Sequence, residues 1–252
     1  MDHVTLFFVV MAYAATAVFL AGFAMKIVVY LTTPSPLKIA ATPAPTTSGG
    51  AVLRVMEEVF LFKSLFRGNK WTWLAGYGMH AFLTIVLIRH GLVLIGVSRG
   101  ENDLSFAGLG PLLGPPVQLF WDFTFRVGLL FPLTILFVLV RRFWVARTRY
   151  ISTFADYAVV ALLLGIALSG VTMKYIVHED VEAIHRFLFG LALLKFVPVP
   201  DAPVFLIHFT LVMTLLVMIP FSKLLHIGGV FLNPTRTQAD SPRDRRVSAP
   251  VS

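Results

Sequence analysis

Five apolar stretches of helix-spanning length dominate the chain: Val4–Leu31, Trp73–Val97, Val117–Val140, Thr153–Ile176 and Pro203–Leu225. A hydrocarbon layer about 30 Å thick takes about 20 residues of helix to cross, so each stretch is predicted to span a membrane once. Phe187–Val197 is also apolar but too short, and it follows the amphipathic "VEAIHRF". That segment is predicted to lie at the interface or to dip partly in. Between the first two spans, Val52, Val55, Met56, Val59, Phe62 and Phe66 recur at helical spacing, with Arg54, Glu57 and Glu58 on another face. They predict an amphipathic helix, either lying on lipid headgroups or offering a ledge to a partner. It follows the Pro/Ala/Thr linker "PSPLKIAATPAPTTSGG", which has little capacity to bury a core.

The pattern therefore predicts an all-α integral membrane protein built as a five-helix bundle. Its transmembrane domain covers residues 1–235, with the linker and amphipathic helix at 34–70. Residues 236–252 form a polar tail with the composition of a disordered segment.

Composition agrees: of 252 residues, 57% are hydrophobic and 13% charged, too apolar a surface for a soluble domain to cover. The net charge of +8 is explained by topology rather than by nucleic acid. Lys38, Arg54, Lys63, Arg67 and Lys70 lie in the first loop, Arg141, Arg142, Arg147 and Arg149 in the third, and Arg236, Arg243, Arg245 and Arg246 in the tail. The opposite side carries only Arg99, Arg186 and Lys195, with acidic Glu179, Asp180 and Glu182. Basic loops stay cytoplasmic, which predicts an outside N-terminus and a cytoplasmic C-terminus in an inner membrane. "MDHVTLFFVV" lacks a basic leader region, so the first span is expected to be retained.

The chain has no cysteine. Covalent c-type haem, thiolate-held iron–sulfur clusters and disulfides are thereby excluded, and any redox chemistry must use histidine or partner subunits. Seven histidines are present. His3 lies at the N-terminus, and His178 and His185 fall in the fourth loop, within "KYIVHEDVEAIHRF". The other four form two pairs, His80 and His90 on span two, His208 and His226 on span five. A polar ring inside a membrane costs free energy and points to function by default. Packing, proton transfer and metal ligation are all open to an isolated histidine pair.

Spans two and five run in opposite directions. His90 then comes opposite His208 near the outer face, and His80 opposite His226 near the cytoplasmic one. Two cross-helix imidazole pairs at different depths are what two bis-histidine b haems need. The spacings fit unevenly. On ideal helices His208 and His226 share a face about 27 Å apart, whereas His80 and His90 differ by about 15 Å in height and about 80° in direction. Tilt or a bend must absorb the difference, and Pro220 is a candidate bend.

Arg89 and Arg126 are candidate partners for haem propionates near the outer pair. Each has a plain alternative: snorkelling or a subunit contact for Arg89, and an ion pair with Asp122 for Arg126. Asp156 can support a ligand or simply sit at the interface. His178, Glu179, His185 and Arg186 can serve a quinone site as proton donors and acceptors, or form a solvated acidic loop.

With these features, the chain resembles the gamma-type cytochrome b subunits of respiratory nitrate reductase. The resemblance rests on histidines ten apart on span two and eighteen apart on span five, with five spans. "LFRGNKWTWLAGYGMHAF", "FADYAVVALLLGIALSGVTMKYI" and "PFSKLLHIGGVFLNPTRTQ" are similar, within that superfamily, to the M-type membrane subunit of the dissimilatory sulfite-reductase-associated complex. The resemblance implies His80, His90, His208 and His226 as axial ligands of two b haems, with menaquinone or ubiquinone as substrate. It also implies a cytoplasmic iron–sulfur partner like heterodisulfide reductase, and further membrane and extracytoplasmic subunits. A nitrate-reductase gamma role is the near alternative. A proton or metal transporter is the distant one, but it would call for an inverted repeat or interrupted helices, and the sequence displays neither. A cofactor-free structural anchor is a third.

Overall fold

The structure, a computed structural model, describes residues 2–34, 40–41, 43–94, 110–233 and 235–240, and for most of residues 110–125 the backbone alone. All regular structure among them is helical. The α-helices are α1 (His3–Thr32), α2 (Ser48–Leu61), α3 (Lys63–Gly68), α4 (Lys70–Leu94), α5 (Gly110–Trp144), α6 (Ala146–Tyr150), α7 (Phe154–Thr172), α8 (Val181–Ala192), α9 (Pro203–Met218) and α10 (His226–Gly229). Among the described residues, five helical stretches are long and apolar enough to cross a membrane: His3–Thr32, Lys70–Leu92, Arg126–Trp144, Phe154–Val177 and Pro203–Phe221. The expected five spans are thus present as helices. Arg99 and the last residues of the expected second span lie outside the described residues.

The chain divides into two compact units. The first comprises Met1–Val18 and Gly78–Met218. Its helix ends are capped by the residues that sequence chemistry favours there. The Asp2 carboxylate accepts the Thr5 N–H at 2.5 Å, which also holds that carboxyl below its ordinary range. Asp180 accepts from the N–H groups of Glu182 and Ala183 at the start of α8. Thr153 and Asp156 form a reciprocal capping box on α7. Asp156 is therefore buried as a cap, which accounts for its place at a helix start.

Inside a bilayer the surrounding tails are as apolar as leucine, so helices associate through close packing and polar cross-links rather than by escape from water. Two clusters provide that packing. In one, the fully buried Phe187 of α8 meets Phe205 and Phe209 of α9 edge-on, with ring centres 6.2 and 5.8 Å apart. Phe8, Val9 and Ala12 of α1 close the same cluster. Tyr13 Oη donates to the Leu191 carbonyl at 3.0 Å, and the Val199 N–H donates to Thr5 Oγ1 at 3.1 Å. In the other cluster, Phe131 and Ile135 of α5 pack on Val160 and Ala167 of α7, fringed by Met79, Phe82, Leu83 and Val86 of α4. Large apolar side chains such as Leu129, Leu133 and Phe137 of α5 face outward, as lipid contact requires. The segment "VEAIHRFLFGLA" is indeed amphipathic: Ile184, Phe187 and Gly190 form the buried face of α8.

The second unit comprises Phe19–Tyr77 and Ile219–Ser252. The expected amphipathic helix is broken into α2 and α3 at Phe62, whose φ of 50° is left-handed and stops the helix. Ala51 and Val55 are its buried positions. Arg54 departs from the expected polar face, since its Nη1 is buried without a hydrogen bond among the described residues. Phe66 meets Trp73 edge-on and Trp73 stacks on Tyr77, each with ring centres 5.0 Å apart, and Trp73 Nε1 donates to the Leu61 carbonyl at 2.8 Å. Residues of the linker and of the expected tail are tied together. The Ala41 N–H donates to the Thr235 carbonyl at 2.9 Å, and the Asp240 N–H to that of Pro45 at 2.7 Å. Arg236 reaches Ser64 Oγ at 3.2 Å and Glu58 Oε1 at 3.4 Å.

Span five departs from expectation. The sequence reading treats residues 203–225 as one helix that carries His226 in phase with His208. The α-helix ends at Met218, and the chain passes through tight 3-10 turns at Ile219–Phe221 and Lys223–Leu225 before α10. Pro220 causes the break: its nitrogen has no proton to donate and its ring crowds the carbonyl one turn back. Gly22 of α1 receives the buried proline closely, since a Cβ there would stand 2.8 Å from Pro220 Cβ. The ideal-helix spacing between the two histidines therefore does not apply.

Candidate functional site

His90 lies near the C-terminal end of α4 and His208 near the N-terminal end of α9, both in the first unit. Their imidazole centroids are 6.3 Å apart and their planes 14° from parallel. Each ring is anchored through Nδ1. His90 Nδ1 lies 2.7 Å from the Val86 carbonyl oxygen. A carbonyl only accepts, so Nδ1 carries the proton and the lone pair is on Nε2.

The same conclusion follows for His208 by a second route. Its Nδ1 is 2.9 Å from Ser169 Oγ, and that hydroxyl donates its only proton to the Ile166 carbonyl at 3.0 Å. With the hydroxyl donating to Ile166, Ser169 accepts from the ring, and the proton is then on Nδ1 of His208. Neither Nε2 has a hydrogen-bond partner among the described residues. Two neutral imidazoles thus stand with their basic nitrogens available and their other nitrogens locked, the arrangement that metal-ligating histidines adopt.

The spacing can be tested against ligation. With metal–imidazole bonds of about 2.0–2.1 Å, two imidazoles on opposite sides of one ion have ring centres about 6 Å apart. The observed separation fits, as does a b haem held between two neutral imidazoles. Among the described residues, no group of three or more His, Cys, Asp or Glu side chains gathers as a protein cage for a metal ion. Bis-imidazole ligation needs only the two.

His80 is half-buried on α4 in the first unit, and its carbonyl accepts from Thr84 Oγ1 at 2.9 Å. His226 opens α10 in the second unit, where its Nδ1 donates to the Lys223 carbonyl at 2.8 Å. It thereby adopts the same tautomer as His90 and His208.

Arg89 is half-buried on α4, one residue before His90. The Lys174 ammonium lies 4.9 Å from the Tyr175 ring centre, a cation–π distance. Tyr175 Oη rests against Gly128 of α5, where a Cβ would come within 2.9 Å of it. Arg126, two residues earlier on α5, is exposed, and the side chain of its expected partner Asp122 lies outside the described residues.

The fourth-loop residues separate into two kinds. His178 and Arg186 are exposed. Glu179 Oε1 and His185 Nε2 are buried without a hydrogen-bond partner among the described residues, while the His185 ring stacks on Phe189 at 5.6 Å. A solvated acidic loop does not account for those two atoms. They follow a π-helical turn at Met173–Val177 and a left-handed His178 with φ 58°. Such irregular backbone is frequent at functional sites.

Sequence reasoning missed Ser169, Gly170, Lys174 and Tyr175. The signal available was the small polar pair Ser169–Gly170 within an apolar span. A Cβ on Gly170 would lie 3.4 Å from His208 Cε1, so this surface of α7 is the wall against which the ring rests.

Comparison with known proteins gives a consistent result. A family model described as nitrate reductase gamma subunit matches residues 120–236. The Hdr-like menaquinol oxidoreductase cytochrome b-like subunit of Archaeoglobus fulgidus is 30% identical over 281 aligned residues, covering 96% of this chain and 82% of the relative. The protein of the same description from Archaeoglobus profundus is 28% identical over 287 aligned residues, covering 98% and 82%.

Proposed function

Because the chain belongs to the nitrate reductase gamma-subunit-like cytochrome b superfamily, we propose that it carries two b haems and transfers electrons between membrane quinol and an iron–sulfur partner. The observation that carries this reading is the opposed pair His90 and His208, each proton-bearing at Nδ1 and presenting Nε2. His80 and His226 are the ligands of the second haem, the latter in the matching tautomer. Haem bound at these sites supplies one-electron redox chemistry that a chain without cysteine cannot supply itself.

The protein residues hold and tune. Val86 and Ser169 fix the ring tautomers, and Arg89 and Arg126 are the cations for propionate carboxylates near the His90–His208 pair. In this reading that pair lies toward the outer face and the C-terminal segment in the cytoplasm, a sidedness supported by the basic loops. The partner is an Hdr-like iron–sulfur subunit on the cytoplasmic side, as the relatives' description supports, with further subunits completing the complex. Menaquinol is the quinol that description favours, and Glu179 and His185 are the proton acceptors for it. The sulfur-metabolising setting rests on the similarity of "PFSKLLHIGGVFLNPTRTQ" to the sulfite-reductase-associated type.

Purified protein tests the reading directly. Its reduced-minus-oxidised spectrum should contain a b-type α-band with two haems per chain, and a colourless preparation would refute the proposal.

A further inference from the structure

His90 and His208 are anchored differently. His90 donates to Val86, a main-chain carbonyl one turn back on its own helix. His208 donates to Ser169, a side chain on a neighbouring helix. Only the second anchor can be removed by substitution without moving the backbone.

Ser169 does not need His208 for its own satisfaction. Its proton is already given to the Ile166 carbonyl at 3.0 Å, the local bond that serines commonly make within helices. Its oxygen is therefore an acceptor polarised by that donation, and chains of this kind strengthen one another. The result is a directed relay, His208 Nδ1–H to Ser169 Oγ–H to Ile166 O.

A ring that donates from Nδ1 is more basic at Nε2, because electron density is pushed toward the ligating nitrogen. A more basic axial imidazole favours the oxidised, more positive iron. We infer that Ser169 is a positioning residue that fixes the tautomer of His208 and lowers the reduction potential of the haem ligated there, and not of the other haem. The inference rests on the proposed ligation by His90 and His208.

The test is a redox titration of the haem-loaded full chain carrying Ser169→Ala or Ser169→Thr, with haem content and the low-spin ferric EPR signals read in parallel. Ser169→Ala is expected to raise one midpoint potential and leave the other in place. Ser169→Ala removes one hydrogen bond from the ring, so the shift should be several-fold in the redox equilibrium, where tenfold is about 59 mV for one electron. Ser169→Thr keeps the hydroxyl and should restore the wild-type potential and EPR signal. No shift, a downward shift or equal shifts of both haems overturns the inference. If Ser169→Ala lowers the haem content instead, retention in Ser169→Thr supports it and loss in both variants refutes it. Failure of the underlying reading is distinguishable, because His208→Ala would then leave both haems in place.

Discussion

The imidazoles of His90 and His208 lie 6.3 Å apart between centres with planes 14° from parallel, and each is held through its Nδ1.

His90→Ala and His208→Ala should therefore remove the same haem. Haem quantitation is expected to fall from two per chain to one in either variant, with the same spectral component missing. Loss of different components would break the pairing.

His80→Ala and His226→Ala should together define the second component. Each is expected to leave the Ser169-sensitive potential unchanged while abolishing the other, as a two-step titration would reveal. If either variant removed the Ser169-sensitive haem instead, the ligands would have to be reassigned.

Glu179→Gln and His185→Ala test the buried polar atoms of the fourth loop. General acid–base groups contribute about 10²–10⁴ in rate, so quinol oxidation should slow by roughly that factor with haem spectra intact. A rate within a few-fold of wild type would remove both residues from the proton path.

Gly22→Val places a Cβ 2.8 Å from Pro220 Cβ, a ring atom that cannot swing aside. Overpacking of this kind typically costs about 1–3 kcal/mol. Thermal unfolding in detergent should shift down accordingly, and Gly49→Ala, where a Cβ meets nothing within 4 Å, is the control.

Arg236→Ala should have a small effect on stability. Its contacts with Glu58 and Ser64 are partly exposed, and such pairs contribute about 0–1 kcal/mol. The expected readout is faster proteolysis of the C-terminal segment with haem content unchanged. A large fall in thermal stability would mean that the segment bears more of the fold than these contacts indicate.

Much of this was readable from residue pattern because the bilayer simplifies the problem: length and apolarity alone identify a spanning helix. The spans at His3–Thr32 and Phe154–Val177 match the hydropathy pattern to within a few residues. What pattern could not supply was backbone departure. Phe62 gives no left-handed signal in sequence, yet it divides the amphipathic helix. Pro220 could be flagged as a bend, but whether a proline kinks a helix or ends it depends on its neighbours, here Gly22 and the turn at Ser222. The histidines stand out in the sequence because rings within apolar spans are conspicuous, and the structure brings His90 and His208 together. Ser169 does not stand out, because a single serine in a membrane helix is ordinarily satisfied by its own backbone, and only the facing histidine distinguishes this one.

The end of α9 at Met218 bears on how such a protein can change over time. A rigid rod through both histidines would make every adjustment at one end felt at the other. With the rod cut at Pro220, His208 takes its setting from α7 and His226 from the turn at Lys223 and the glycines beside α1. Substitutions can then alter the setting of one histidine while sparing that of the other. A lineage can thus adjust the two histidine settings by separate mutations.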